Sequence, residues 1–258
     1  MKYSIIIPTL NEEKLLPNLL KQLSDLNIKK KYDYEVIVSD GGSNDHTVDI
    51  ALEFADTVKV HLDNCKQNIA SGRNYGASFA QGEVLIFING DILIPQLEDF
   101  FNFINKKFFS SKYLAMTCKV KVFPEEEILS DKIFHFIYNS YFRLLNNIGV
   151  GMGRGECQII RKNIFQNVNG YNEKLAAGED FDIFRNIRKL GKVLYTMDIC
   201  VYESPRRFRK LGYKNVTLSW LRNGFSVFLK NKSISKEWEQ VRWLKKYFFL
   251  LLFFVLHC

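Results

Sequence analysis

Residues 3–108 switch repeatedly between two hydrophobic periods, and no other feature restricts the fold as strongly. Ile5-Ile6-Ile7 reads as a short buried strand, after which Leu15, Leu16, Leu19, Leu20, Leu23 and Leu26 recur at helical spacing. Glu35–Ser39 is the next strand, and Val48, Ala51, Leu52 and Ala55 mark the helix behind it. Thr57–His61 reads as a third strand, 69–81 as a helix of small residues, Val84–Ile88 as a fourth strand and 95–108 as helix. Strands alternating with helices across short turns predict a parallel sheet between helical layers.

Beyond residue 112 the rhythm loosens. Residues 114–123 read as a strand and 124–145 as a long helix rich in Phe, Tyr and Ile. The run Gly149-Val-Gly-Met-Gly-Arg-Gly155 is too flexible for regular structure. Cys157–Ile160 resumes as strand, 181–190 as helix and 192–196 as strand. No internal repeat or low-complexity linker divides the chain. The economical reading is one α/β domain over 1–204 and a basic helical appendage over 205–258.

In a parallel α/β sheet, ligands bind outside the carboxyl ends of the strands. Polar residues gather at those ends: strand one runs into Pro8-Thr-Leu-Asn-Glu12-Glu13, strand two into Asp40-Gly-Gly-Ser43-Asn-Asp45, and strand four into Asn89-Gly-Asp91. Taken singly, Asn11, Ser43 and Asp45 are explained as helix caps and Gly41-Gly42 as a turn. Three carboxylate-bearing ends on one edge argue for a site. It is neither of two familiar phosphate sites. A dinucleotide fold needs GxGxxG after strand one, where this chain has IPTLNEE, and no GxxxxGK[ST] loop occurs.

Four blocks in this order, SIIIPTLNEE, VIVSDGGSNDHT, ASGRNYGASFAQGEVLIFINGD and GYNEKLAAGEDFDIFRNIRKLG, resemble family 2 glycosyltransferases over residues 3–191. The resemblance implies the GT-A fold, a Rossmann-like, mixed, mainly parallel sheet flanked by helices, here with the helical C-terminal appendage. It implies transfer of a sugar from a nucleoside-diphosphate sugar to an acceptor hydroxyl, inverting, metal-assisted and with an Asp general base. Carried over residue by residue, Pro8, Glu12, Asp40 and Ser43 hold base and ribose, and Arg73 faces the nucleotide. Strand four of such enzymes ends in DxD, whose last aspartate binds a divalent metal, Mg²⁺ or Mn²⁺, on the donor diphosphate. Asp91 falls there, while Asn89 departs from the pattern. One missing anion about 4 Å from a charge is worth ~1 kcal/mol in water and ~4 kcal/mol at an effective dielectric of 20, so the implied metal site is weakened, not abolished.

The Gly178-Glu179-Asp180-Phe181-Asp182 cluster resembles the family's ED motif. That makes Asp180 the base and Glu179 its neighbour or an acceptor contact, with Asp182 as the competing base. Acids in a first helical turn are also favoured by the helix dipole alone. Arg206 and Arg207 match a basic segment that closes over the diphosphate, since guanidinium forks suit phosphate oxygens. A membrane-facing basic patch is the other reading of those arginines. The implied picture is that Asp40, Asp91 and Asp180 converge on one pocket.

The net charge of +8 suits a polyanionic partner, here a phosphorylated donor; nothing beyond charge points to nucleic acid. Five scattered cysteines without a CxxC pair favour reduced thiols and a cytoplasmic protein. The apolar run Tyr247–Leu256 follows Arg242, Lys245 and Lys246 and is shorter than the ~20 residues a spanning helix needs. It suits a core helix, the stump of a longer segment, or a surface anchor over 242–258 at the cytoplasmic face of a membrane. With the aromatic helix and the Gly run, it suits a lipid-linked or membrane-presented acceptor. A catalytically impaired nucleotide-sugar-binding protein on the same fold is the alternative, with Asn89 its support.

Overall fold

A computed structural model describes residues 1–61, 68–235 and 241. Strands β1 (Tyr3–Thr9), β2 (Tyr34–Asp40) and β4 (Val84–Ile88) are buried almost throughout, and β3 (Thr57–Val60) borders β2. Their runs of Ile and Val suit parallel strands covered on both faces. β1 pairs in parallel with both β2 and β4, and β2 with β3, giving the order β3-β2-β1-β4. The order reverses at β1, so a crevice opens beyond the carboxyl ends of β1 and β4.

The sheet continues through β7 (Cys157–Arg161), β6 (Ala115–Val122), β8 (Val193–Glu203) and the short β5 (Ile92–Leu93). β7 runs antiparallel to β4, with Cys157 opposite Ile88, so the residues just before β7 arrive at the same edge as Asn89 and Asp91. β8 runs parallel to β6 and ends with Glu203 opposite Ile92, delivering Glu203 there too.

Side chains alternate across the strands and separate two cores. Ile5, Ile7 and Val36 pack on α1 (Leu16–Leu23) and α5 (Leu97–Phe103), while Ile6, Ile37 and Phe87 face α4 (Ile69–Ser78), α7 (Lys162–Asn167) and α8 (Glu179–Leu190). Gly76 permits the close seat of α4, because a Cβ there would meet Ile6 Cγ2 at 2.6 Å.

The leucine-rich stretch expected to be one helix divides into α1 and α2 (Leu26–Tyr32), because Asp25 accepts from the N–H groups of Asn27 and Ile28 and caps a new helix. α3 (Thr47–Phe54) follows β2, and α5 continues into a π-helical stretch, Ile104–Phe109. α6 (Leu129–Asn147) starts five residues later than the aromatic pattern suggests, and α9 (Arg206–Leu211) and α10 (Tyr213–Lys230) are the described helices of the 205–258 segment. Phe134 and Tyr138 of α6 touch Trp220 of α10, so α10 belongs to the wall of the crevice. Among the described residues no helix is long and apolar enough to cross a membrane. The apolar run 247–256, with Cys65 and Cys258, lies outside them; Cys118, Cys157 and Cys200 are free thiols.

Candidate active site

One cavity of about 660 Å³ occupies the crevice, and Pro8, Glu12, Gly41, Asn89, Asp91, Asp180, Arg206 and Arg207 all reach its wall. The loops after β1 and β2 are locked to each other. Asn11, at φ 57°, donates its N–H to Ser43 Oγ at 2.8 Å, Asn44 N–H donates to Asn11 Oδ1 at 2.9 Å, and Glu12 N–H to Thr47 Oγ1 at 2.7 Å. Asp40 is fully buried and accepts from Thr9 Oγ1 (2.8 Å), the N–H groups of Gly42 (2.9 Å) and Ser43 (2.7 Å), and Ser43 Oγ (2.6 Å). Neither Asp40 nor Ser43 lines the cavity; together they fold the loop that presents Gly41 to it. Of the three aspartates expected to converge, Asp91 and Asp180 share the cavity and Asp40 underlies its rim.

Arg206 of α9 reaches back over 194 residues of chain to Glu12, donating through Nη1 to Oε2 at 2.9 Å and through Nη2 to Oε1, and lies 3.1 Å from Asp91 Oδ2. Burial, and then Asp91, push the Glu12 carboxyl above its ordinary value, with Arg206 opposing. Two carboxylates thus converge on one cationic position, filled here by a guanidinium. Two hard oxygen donors fit a divalent ion that takes its other oxygens from water and a diphosphate. No third His, Cys, Asp or Glu joins them among the described residues. Asn89 does not supply the third donor, because its Oδ1 accepts from Arg73 Nη2 at 3.1 Å.

Arg73 is fully buried. It donates to Glu179 Oε1 at 2.8 Å and to the Gly155 carbonyl at 2.7 Å, and its guanidinium sits 5.1 Å from the Tyr171 ring centroid. It therefore ties α4 to β4, to the glycine run and to the start of α8. Gly178, at φ 85°, turns the chain into α8 in a conformation that side-chain-bearing residues rarely adopt. Asp180 follows in the first turn, where its Oδ1 accepts from the Phe181 N–H at 2.8 Å. Burial and then the Glu179 carboxylate push the Asp180 carboxyl up to about 7, with Arg73 opposing. Asp182, the competing base, lies off the cavity beside Asn186, 3.4 Å from its Nδ2.

Sequence reasoning missed a second buried charge cluster at this edge. Arg154 forks onto Glu156 with contacts of 3.1 and 3.0 Å, and Glu203 Oε1 lies 3.7 Å from Arg154 and 3.6 Å from His135 Nε2. Burial, then Glu156, raise the Glu203 carboxyl strongly. Burial would also raise Glu156, but Arg154 overrides it and the net shift is downward. Burial, then Arg154, bring His135 down to about 4. The available signal was charge inside Arg154-Gly-Glu156, directly before a buried strand; the glycines around it read as flexible.

A cavity at the switch point of a mixed, mainly parallel sheet, here walled by carboxylates and arginines, is where α/β proteins of this topology bind their ligands. The sequence matches the family described as Glycosyl transferase family 2 over residues 4–168, more than half of the chain, and the chain belongs to that family. The O-antigen chain rhamnosyltransferase of Salmonella typhimurium is 25% identical over 244 residues, 87% of this chain and 76% of that protein. The 4,4'-diaponeurosporenoate glycosyltransferase of Staphylococcus haemolyticus is 43% identical over 94 residues, 34% of this chain and only 24% of that protein. Among solved structures, S. aureus TarS superposes with TM-score 0.62 at 22% identity, covering 92% of this chain and 41% of that one. The mannosyltransferase of Pyrobaculum calidifontis, solved with GDP-Man and Mn²⁺, superposes with TM-score 0.62 at 18% identity, covering 86% and 65%. The fold is GT-A.

Proposed function

We propose that the chain transfers a sugar from a nucleoside-diphosphate sugar to an acceptor hydroxyl by single displacement with inversion, Asp180 acting as general base. The supporting observation is that one cavity holds Asp180, with its raised carboxyl, and the Glu12–Asp91–Arg206 cluster. The acceptor oxygen attacks the anomeric carbon from the face opposite the diphosphate. Asp180 takes the hydroxyl proton, and the bond from sugar to diphosphate breaks with its electron pair leaving on the phosphate oxygen. A carboxyl titrating near neutrality is matched to that proton transfer at cellular pH.

The nucleoside lies over Pro8 and Gly41 on the loop that Asp40 and Ser43 hold. Arg206 and Arg207 carry the forked donors that suit diphosphate oxygens, and Arg206 exchanges its carboxylate partners for them as the donor enters. Asp91 and Glu12 would hold Mg²⁺ or Mn²⁺, whose charge offsets that building on the leaving diphosphate. Arg73 positions Glu179 and Asn89 rather than touching the donor.

TarS has been solved with UDP-GlcNAc and the mannosyltransferase with GDP-Man and Mn²⁺, which favours a nucleotide-sugar donor and a metal. Exposed apolar residues on α6 and α10, among them Phe136, Ile137, Phe225 and Phe228, favour peripheral contact at the cytoplasmic face of a membrane. A second reading, nucleotide-sugar binding without catalysis, draws on Asn89 and on the engagement of Asp91 by Arg206. Thermal unfolding with UDP, GDP and dTDP, each with and without Mn²⁺, should show metal-dependent stabilisation by one nucleotide. Release of that nucleotide from its sugar then separates enzyme from binder.

A further inference from the structure

We infer that the acceptor is an amphiphile: a hydroxyl carried on a hydrocarbon chain and drawn from an anionic bilayer. The inference rests on the transferase reading for calling this ligand the acceptor. The cavity has two unlike halves. The charged residues on its wall lie toward the strand ends, at the starts of α8 and α9 and, as Arg73, on α4. Past Asp180 it runs between α6 and α10, where Phe142, Leu145, Met152, Phe181, Leu221 and Phe225 form the wall and the nearest charge is the buried Arg154 guanidinium, 5.3 Å from the Phe142 ring centroid at the inner end.

Tyr138, Tyr141 and Trp220 add aromatic rings with polar tips to that half, and its amide side chain, Asn223, is already satisfied. Asn223 accepts at Oδ1 from the N–H groups of Ile234 (2.9 Å) and Ser235 (3.0 Å) and donates from Nδ2 to the Ser219 carbonyl and Ser235 Oγ, both at 2.9 Å. A sugar ring placed there would find no charged or amide partner for its hydroxyls beyond the tips of those aromatic side chains, whereas methylenes lose nothing. The groove also has an outlet. Leu221 and Phe225 line the cavity and are 50% and 67% exposed, so one apolar strip leads from Asp180 to the surface.

Among the described residues of α6 and α10, the exposed charges have one sign. Arg143, Lys214, Arg222 and Lys230 are exposed on α6 and α10. The one acid in the two helices, Asp131, is buried and held by Arg209. Cationic shoulders beside an apolar outlet complement anionic headgroups around a hydrocarbon chain. The hydroxyl then meets Asp180 while the chain trails through the groove to the lipid.

The test titrates the full chain with straight-chain 1-alkanols from hexanol to decanol, followed by intrinsic tryptophan emission with Trp220→Phe as the control for signal origin. The dissociation constant is expected to fall about fourfold per added methylene, the factor equivalent to ~0.8 kcal/mol. Phe225→Asp should flatten that series while leaving stabilisation by nucleotide and Mn²⁺ unchanged. A chain-length-independent series, or one unaltered by Phe225→Asp, would overturn the inference; the latter would place the hydrocarbon elsewhere, for example on residues 242–258. Tighter binding of methyl glycosides than of decanol would overturn it in favour of a carbohydrate acceptor. Nucleotide stabilisation is read separately, so its loss with the alkanol series intact would strike the transferase reading alone.

Discussion

Asp180 carries two opposed demands, and both are measurable. Its carboxyl ordinarily titrates near 3.8 but is pushed up to about 7 by burial and then by Glu179. The folded protein therefore holds a proton across that interval which the unfolded chain has released. Stability attributable to this residue is present below about pH 4 and is lost as pH rises toward 7. Asp180→Asn should abolish transfer, and its Tm advantage over the parent should widen between pH 4 and pH 8. Parental kcat/KM should climb through pH ~7 as the base ionises. Arg73 makes the opposite kind of prediction. Arg73→Met leaves Glu179 buried without its cation, which should cost about 3–5 kcal/mol in urea unfolding, whereas a freely solvated arginine would cost almost nothing.

These two residues also mark how far sequence carries. Asp180 was singled out because the acidic pair that opens a helix after Gly178 resembles the family's ED motif; the local pattern alone fits acids favoured by the helix dipole. The resemblance implied that Arg73 faces the nucleotide and gave no sign of its burial. Its partners, Glu179 and the Gly155 carbonyl, lie far along the chain, and no local pattern encodes that meeting. Asp40 likewise sits at the expected strand end, yet its lone pairs serve its own loop.

At the scale of elements, α9 and the glycine run hold the unread information. α9 places Arg206 on Asp91 and Glu12, so the proposed metal would compete with the guanidinium for the same oxygens. Arg206→Ala should bind Mn²⁺ several-fold more tightly in calorimetric titration without nucleotide. Unchanged Mn²⁺ affinity would mean that the ion goes elsewhere. Residues 149–155 are not the flexible loop that their composition implies. A Cβ on Gly153 would sit 2.4 Å from the Phe184 ring, so the run is packed hard against α8. Gly153→Ala should cost about 1–3 kcal/mol, read as a lower urea midpoint at constant m. β8 ran seven residues past its expected end for a related reason: Asp198 breaks the apolar pattern, while pairing with β6 carries the strand on to Glu203.

For the molecule as a whole, the parallel half was the readable part. Buried strands of Ile and Val alternating with amphipathic helices specify β1 to β4 almost residue by residue. The antiparallel insertion of β7 and the return of β8 rest on long-range pairing, which periodicity cannot report. Those pairings bring Arg154, Glu156 and Glu203 to the edge where Asn89 and Asp91 end β4. The apolar faces of α6 and α10 with their basic flanks give a prediction at this scale. The full chain should sediment with phosphatidylglycerol vesicles and not with phosphatidylcholine vesicles, and the bound fraction should fall as salt is raised.

The central claim is that a single crevice holds a sugar nucleotide with Asp180 poised at the anomeric carbon. Its most direct measurement incubates parent and Asp180→Asn protein with a panel of sugar nucleotides and Mn²⁺, following nucleoside diphosphate release beside thermal unfolding. The account predicts release from one donor by the parent, loss of release in Asp180→Asn, and the same nucleotide-dependent rise in Tm in both proteins. Equal turnover by the two proteins, or no stabilisation by any donor, would contradict it.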